Sequence, residues 1–373
     1  MRVLLNALSL INRKTGIGEY TQNIYEELSK NKKIDIDLFV GNKVLGNLGD
    51  TLNPSPSNVT IRNFIRDRIP FSYEVARSIR QLGFNKILNK NSYSIYHEPN
   101  FISLNSNIPV VLNIHDLSWI SHPQTHPNRR VKSLKKYVPI SLKKSKKIIV
   151  DSHFIKNELL NYFDINENDV HVIYLASKYT FKTYKNNLED FLLANNLTYK
   201  KFFICVGTLE PRKNLTNSIK SYLLLPKSIR KKYPLLIIGA YGWKFDKSSF
   251  DIDETVKFIG YVEDQALEYL YHGALALLYL SVYEGFGLPP LEAMSCKTVT
   301  ITSNKGTLKE LYADSSISVD PNDSFSIKQN MLKLIEDKGF QLYFSDKGFA
   351  YSKSFSWNKT ANKVLDLYKE ILS

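Results

Sequence analysis

The chain has 373 residues, of which 43% are hydrophobic and 23% charged. That length favours two domains, and the composition excludes a disordered, collagenous or low-complexity protein. The formal net charge of +14 suits a polyanionic partner (nucleic acid, anionic lipid or a phosphorylated small molecule) without choosing among them.

The two cysteines, Cys205 and Cys296, lie far apart and form no zinc-binding spacing, so no zinc framework and a reduced, intracellular protein are expected. The N-terminus begins directly with an apolar, strand-like run rather than a signal peptide. The longest apolar stretch, Ala274 to Leu280, is far short of the roughly 20 residues a membrane span needs. A soluble or peripherally attached protein is expected.

In chain order, Val3–Leu8 reads as a strand, followed by a glycine-containing loop, Thr15-Gly16-Ile17-Gly18. A helix is expected over Glu19–Ser29, with Tyr20, Ile24 and Leu28 at four-residue spacing. Ile34–Val40, Tyr93–His97, Val110–Ile114 and Lys147–Val150 read as further strands. The segment 177–200 is polar, rich in Asn and Lys and weakly periodic, and reads as an inter-domain link.

The pattern then restarts. Phe202–Leu209, Leu235–Gly239, Val256–Gly260, Ala274–Leu280, Val299–Thr302 and Ile317–Val319 read as strands, and Asn214–Leu225 as a helix. Short buried runs separated by helices predict an α/β chain built from two doubly wound, Rossmann-like domains with parallel sheets. The expected division is 1–176, 177–354 and a closing helical segment, 355–373, packing back on the first domain. Ligands of such sheets bind beyond the carboxyl ends of strands, so the chemistry belongs in the loops that follow them.

The richest of these loops is Tyr283-Glu284-Gly285-Phe286-Gly287-Leu288-Pro289-Pro290-Leu291-Glu292. Proline is favoured at a helix start, so a helix is predicted from Pro289 or Pro290 with Glu292 in its first turn. Gly285 and Gly287 allow close backbone approach, free N–H groups at a helix start suit phosphate, and a carboxylate can accept from both hydroxyls of a ribose. The bland alternative is a glycine-rich turn with a glutamate placed by the helix dipole. Arg212 and Lys213 follow another strand and could neutralise a departing diphosphate, or form a solvated basic turn.

The spacing of Glu284 and Glu292, with seven residues between them, resembles the signature of glycosyltransferase family 4. Val206-Gly207-Thr208-Leu209-Glu210-Pro211-Arg212-Lys213, Ile238-Gly239-Ala240-Tyr241-Gly242-Trp243, Phe258–Val262, Val319-Asp320-Pro321 and Phe355-Ser356-Trp357 match family landmarks in register. The resemblance implies the GT-B fold and a retaining, metal-independent transfer from a nucleotide-diphosphate sugar. It places the diphosphate on Arg212 and Lys213, the ribose on Glu292 and the transferred sugar near Glu284. It assigns the rest of the donor site to Gly207, Gly239, Tyr241, Val262, Gly285, Phe286, Gly287 and Leu288. Gly16 and Gly18 close on the donor phosphate or the acceptor. Gly18, Tyr20, His115 and Asp116 form the acceptor side, His115 counting among the catalytic residues with Arg212, Lys213 and Glu284.

Two features depart from the family pattern: Lys297 stands where a glycine is usual, and Tyr174-Leu175-Ala176 lacks the usual hinge glycine. Asp151 and Ser152 resemble a family strand-end site but read more simply as a helix cap. The triplets Asp35-Ile36-Asp37 and Asp251-Ile252-Asp253 could hold a metal, but both read as structural, the first pair facing solvent. No metal site and no cofactor is expected.

Between Arg129 and Lys147 lie nine basic residues: Arg129, Arg130, Lys132, Lys135, Lys136, Lys143, Lys144, Lys146 and Lys147. Val131, Leu134, Val138 and Leu142 recur among them at helical spacing and read as a core-facing stripe, with the cations suited to an anionic membrane. The resemblance extends to bacterial mannosyl- and rhamnosyltransferases of surface-polysaccharide (lipopolysaccharide O-antigen or capsule type) biosynthesis. It implies GDP-mannose as donor, with dTDP-rhamnose or a UDP-hexose as alternatives. A glycan or lipid-linked oligosaccharide is the implied acceptor, and the cytoplasm or the inner face of its membrane the location. An epimerase or a phosphorylase on the same fold is a further alternative. A nucleic-acid-binding protein is the alternative of another class, but no zinc-finger spacing or RNA-recognition motif supports it.

Overall fold

A computed structural model describes residues 1–11, 16–49, 72–181, 187–246 and 250–373. Thr15 and part of the 177–200 link lie outside the described residues.

The N-terminal sheet consists of β1 (Arg2–Asn6), β2 (Asp35–Phe39), β3 (Val44–Leu45), β4 (Ile95–Glu98), β5 (Val110–Ile114), β6 (Lys147–Val150) and β7 (Val170–Val172). Its strand order is β3-β2-β1-β4-β5-β6-β7. All pairings are parallel except β2 with β3, a short antiparallel edge that two residues of sequence could not announce.

The C-terminal sheet consists of β8 (Phe203–Val206), β9 (Leu235–Ile238), β10 (Val256–Gly260), β11 (Ala276–Tyr279), β12 (Val299–Ser303) and β13 (Ile317–Val319). Its order is β10-β9-β8-β11-β12-β13, wholly parallel. This is the doubly wound order in which the chain reverses direction between the first and fourth strands, here β8 and β11. The strands β5, β6, β8, β9 and β11 are apolar along most of their length, and β4 is buried throughout although it carries His97 and Glu98, because helices cover both faces. Each fully buried Leu, Val or Phe side chain contributes about 1.5–3 kcal/mol of transfer free energy.

Several expectations need correction. Gly16 and Gly18 are not in a loop: they form the first turn of the helix Gly16–Leu28. A Cβ at Gly18 would lie 3.1 Å from the Ser9 carbonyl oxygen, so glycine there lets the helix start pack on the preceding turn. Asp37 does not face solvent: it is buried, taking Arg2 at 2.7 Å and the Tyr93 hydroxyl at 2.7 Å. The link contains a helix, Asn187–Ala194, with Leu188 and Leu192 buried. Lys297 keeps the turn that glycine usually makes, at φ +55°, with its ammonium 4.9 Å and 5.0 Å from the Phe181 and Phe349 ring centroids.

The basic helix Asn128–Lys144 buries Val131, Leu134, Val138 and Leu142, as their spacing predicts. Asp253 pairs with Arg230 at 2.9 Å and accepts from Thr255, a structural role. Among the described residues no helix is long and apolar enough to cross a membrane, and no group of three or more His, Cys, Asp or Glu could hold a metal ion. The terminal helix Trp357–Leu372 packs on the helix Gly16–Leu28, and its Tyr368 hydroxyl lies 2.6 Å from His97 Nδ1.

Candidate active site

The reversal between β8 and β11 places two loops side by side. The first leaves β8 at Gly207 (φ +144°) and the second leaves β11 after Tyr279. A Cβ on Gly239, at the end of β9, would fall 1.9 Å from the Gly207 carbonyl oxygen, so only bare backbone fits at this floor. Pro211–Lys213 form a single tight turn closed by Asn214 at φ +55°. The Asn214 amide donates to the Leu280 carbonyl at 3.1 Å and the Pro321 carbonyl at 3.0 Å, which pins the turn against β11.

This turn delivers Arg212 and Lys213 to Glu284. Arg212 Nη1 donates to Glu284 Oε2 at 2.6 Å and to the Tyr283 carbonyl at 2.9 Å, while Nη2 donates to Glu210 at 2.7 Å. Lys213 Nζ lies 2.6 Å from Glu284 Oε1 and 2.9 Å from the Tyr279 hydroxyl. Burial pushes the Glu284 carboxyl up, but Arg212 and Lys213 outweigh it and hold it at about 2. Burial works against the Arg212 charge, but Glu284, Glu210 and Asp116 raise its pKa well above the usual value. Arg212 Nε is buried and has no hydrogen-bond partner among the described residues. An unsatisfied buried donor in a cationic turn fits an incoming anion.

Glu292 occupies a different setting. Its helix, Leu288–Ser295, starts earlier than expected because Gly287 (φ +84°) serves as the N-cap. Glu292 is therefore its fifth residue, past the first turn, and is buried. Burial pushes its carboxyl up to about 7, against the pull of Lys178 and of the Tyr271 hydroxyl, which donates to it at 2.9 Å. Lys178 also pairs with Glu19 at 3.0 Å and Asp264 at 2.8 Å, tying the link to both halves of the molecule.

The two halves meet at this site. A Cβ on Gly285 would fall 1.7 Å from the His115 carbonyl oxygen. The Tyr283 hydroxyl accepts from the Leu117 N–H at 3.0 Å and donates to Glu158. Glu310 accepts from the His153 and Phe154 N–H groups at 3.0 Å and 2.6 Å, and Trp243 Nε1 donates to the Thr125 carbonyl at 2.5 Å. Burial pushes the Asp116 carboxyl up, but Arg212 across the cleft and Ser118 beside it bring its pKa down on balance.

The sequence-predicted residues are thus not all alike. Arg212, Lys213, Glu284, Gly285 and Asp116 converge, with Gly207, Gly239 and Gly287 as bare backbone around them. Tyr241 is exposed and Val262 half-buried, each a few residues beyond the end of its strand, β9 and β10. Leu288 begins the helix and is half-buried, and the Phe286 ring is buried against Tyr174, Tyr312 and Phe355. The Tyr20 ring is fully buried, its centroid 5.4 Å from that of His115. Sequence reasoning missed Tyr279, Tyr283, Tyr271 and Lys178. The first two flank the glutamate loop, a position that could have flagged them; Lys178 and Tyr271 carry no local signal.

Residues 14–176 match the family model described as Glycosyltransferase Family 4, and residues 193–370 match the one described as Glycosyl transferases group 1. The chain is 31% identical over 367 residues to O-antigen chain mannosyltransferase B of Escherichia coli, covering 95% of this chain and 96% of that one. Sucrose-phosphate synthase from Thermosynechococcus elongatus superposes with a TM-score of 0.76 at 15% identity, covering 100% of this chain and 99% of that one. Anabaena Alr3699/HepE in complex with UDP-glucose superposes with a TM-score of 0.72 at 14% identity, covering 99% and 100%. With two parallel sheets facing across one cleft and a matching relative along almost its whole length, the chain belongs to glycosyltransferase family 4, has the GT-B fold and is a hexosyltransferase.

Proposed function

We propose that the chain transfers mannose, with retention and without a metal ion, from GDP-mannose to a growing lipid-linked glycan of a cell-surface polysaccharide. The observation that carries this reading is the buried Arg212–Lys213–Glu284 cluster at the β8–β11 reversal, with its unsatisfied Arg212 Nε. As the bond from the anomeric carbon to the diphosphate oxygen breaks and the bond to the acceptor oxygen forms, negative charge collects on the diphosphate, whose departing oxygen takes the acceptor's hydroxyl proton. Two cations held in place by buried carboxylates meet that charge with no reorganisation. The N–H groups at the start of Leu288–Ser295 add to them, and Glu292 takes the ribose hydroxyls. The choice of mannose rests on the Escherichia coli relative's description as an O-antigen chain mannosyltransferase. The nucleotide-sugar donor class is supported by the UDP-glucose complex of the Anabaena structure.

Peripheral contact with an anionic membrane belongs to the same reading. Lys132, Lys136 and Lys143 of the helix Asn128–Lys144 are exposed, as is the apolar Ile140 between them. Val75, Ile79 and Leu82, spaced as one stripe, are exposed on the helix Ser72–Lys90, which meets the basic helix through the Arg77 guanidinium over the Tyr137 ring. The direct test supplies GDP-mannose, dTDP-rhamnose and UDP-hexoses to the full chain in EDTA with a lipid-linked acceptor, and reads the anomeric configuration of the product by NMR. An α-mannosyl product from GDP-mannose alone is expected; transfer from another donor only, or an inverted linkage, overturns the corresponding part of the reading.

A further inference from the structure

His115 follows β5 and has both ring nitrogens committed. Nδ1 lies 2.7 Å from Asp151 Oδ2, and Nε2 lies 2.9 Å from the Pro99 carbonyl oxygen. A backbone carbonyl can only accept, so Nε2 carries a proton. Burial and Asp116 push the Asp151 carboxyl up while His115 pulls it down; once ionised it can only accept, and Nδ1 then carries the second proton. We propose that Asp151 is a positioning residue of the transfer site, which together with the Pro99 carbonyl holds His115 as a standing imidazolium against the loop where the two halves of the enzyme meet. This deepens the reading of the cleft as a donor site and rests on it for its catalytic consequence.

Three strand ends are tied by this one ring: Pro99 follows β4, His115 follows β5 and Asp151 follows β6. The Pro99 segment has a fixed shape, since Phe101 sits at φ +53° with its N–H donating to the Asn113 carbonyl at 3.1 Å. That conformation is uncommon for a bulky residue and persists only where the surroundings determine it. The other ionisable groups facing His115 are Asp116 in its own loop, Tyr20 from the helix Gly16–Leu28 and His97 on β4. Burial lowers His97 to about 4 and the His115 charge adds to that, so the pair divides into one neutral and one charged ring. For His115 itself, burial opposes the charge, but Asp151 and then the Pro99 carbonyl outweigh it and its pKa is raised.

A ring with both nitrogens protonated has no lone pair for an acceptor's proton. His115 therefore contributes charge and geometry rather than general-base chemistry. Its carbonyl is the atom against which Gly285 packs, so the ring's tethers also set the position of the donor loop.

The test is a 15N titration of the histidine ring nitrogens in the full chain, with Asp151→Asn and Asp151→Glu beside the wild type. In the wild type the His115 ring is expected to titrate above the ordinary histidine midpoint of about 6.5, with both nitrogens protonated at that midpoint. Asp151→Asn leaves burial unopposed by that carboxylate, so it is expected to lower the midpoint and to make kcat fall as pH rises through it, with the donor KM little changed. Asp151→Glu restores the wild-type profile. A wild-type His115 midpoint at or below the ordinary one of about 6.5, or an Asp151→Asn titration identical to wild type, overturns the proposal. If the Asn variant folds poorly, the wild-type titration decides alone. The expected titration without transfer from any nucleotide sugar would count against the proposed function and leave this assignment standing.

Discussion

Arg212 Nη1 and Glu284 Oε2 lie 2.6 Å apart across 72 residues of sequence, both side chains shielded from solvent. The pair keeps two opposite charges in place before any substrate arrives. Lys213 shares the same carboxylate, so Glu284 restrains the two cations assigned to the donor diphosphate.

Replacing Glu284 by glutamine removes that restraint while keeping most of the shape. Nucleoside diphosphate is expected to bind several-fold more tightly, and kcat to fall by about 10²–10³ because the cations lose their orientation. Calorimetric titration with initial rates checks both. Weaker diphosphate binding in this variant would mean that Glu284 does not compete for the cations. The wild-type ion pair also has a pH signature. Its folded pKa of about 2 lies below the ordinary 4.5, so its contribution to stability is present above about 4.5 and is lost as pH falls towards 2.

Glu292 behaves in the opposite sense. Its folded pKa of about 7 exceeds the ordinary 4.5, so burial favours the protonated form. The stability it contributes is complete below about 4.5 and is lost as pH rises through about 7. A ribose diol donates to the ionised carboxylate, so nucleotide affinity is expected to rise as pH increases through 7 and then level off. Glu292→Gln should flatten that profile and weaken binding by roughly tenfold. An unchanged pH profile in the variant would remove Glu292 from the ribose site.

Gly285→Ala places a methyl group where the His115 carbonyl already stands, 1.7 Å away. Backbone cannot yield as a side chain can, so the two halves must separate or the loop must move. Transfer is expected to drop by about 10²-fold from misplacement of the reacting groups. Small-angle scattering should show a more open particle with both halves folded. Full activity would mean that this contact opens during turnover.

Exchanging Lys132 and Lys136 for glutamate should release the protein from phosphatidylglycerol vesicles, at about 1 kcal/mol per lysine removed. Binding of the wild type should also weaken with salt. Flotation with zwitterionic vesicles as the control measures this, and equal retention of variant and wild type would remove the membrane from the reading.

Much of the fold was legible because its strands are short apolar runs of the right length. β5, β6, β10 and β13 fall on the residues their patterns marked, and the helix Trp357–Leu372 lies within the closing segment 355–373. Local conformation was harder. With Gly287 as its cap, a helix starts at Leu288, one residue before the prolines that signal it, and Gly16-Ile17-Gly18, loop-like in composition, is helical. Hardest were contacts across the chain. Asp151 beside Ser152 reads as a cap, and Ser152 does cap, accepting from the Ile155 N–H. The Asp151 carboxylate, however, turns to a histidine 36 residues earlier. No periodicity encodes such a partner, because it is set by which strand ends the sheet brings together.

The most direct measurement is thermal unfolding of the wild type and of Arg212→Ala/Lys213→Ala with GDP, UDP, dTDP and ADP, all in EDTA. A ligand that binds only the folded state raises its stability by about 2.7 kcal/mol at a hundred times Kd. A shift of a few degrees with GDP that persists in EDTA and vanishes in the double variant is the expected result. No shift with any nucleotide, or an equal shift in a well-folded double variant, would contradict the placing of the donor diphosphate on Arg212 and Lys213.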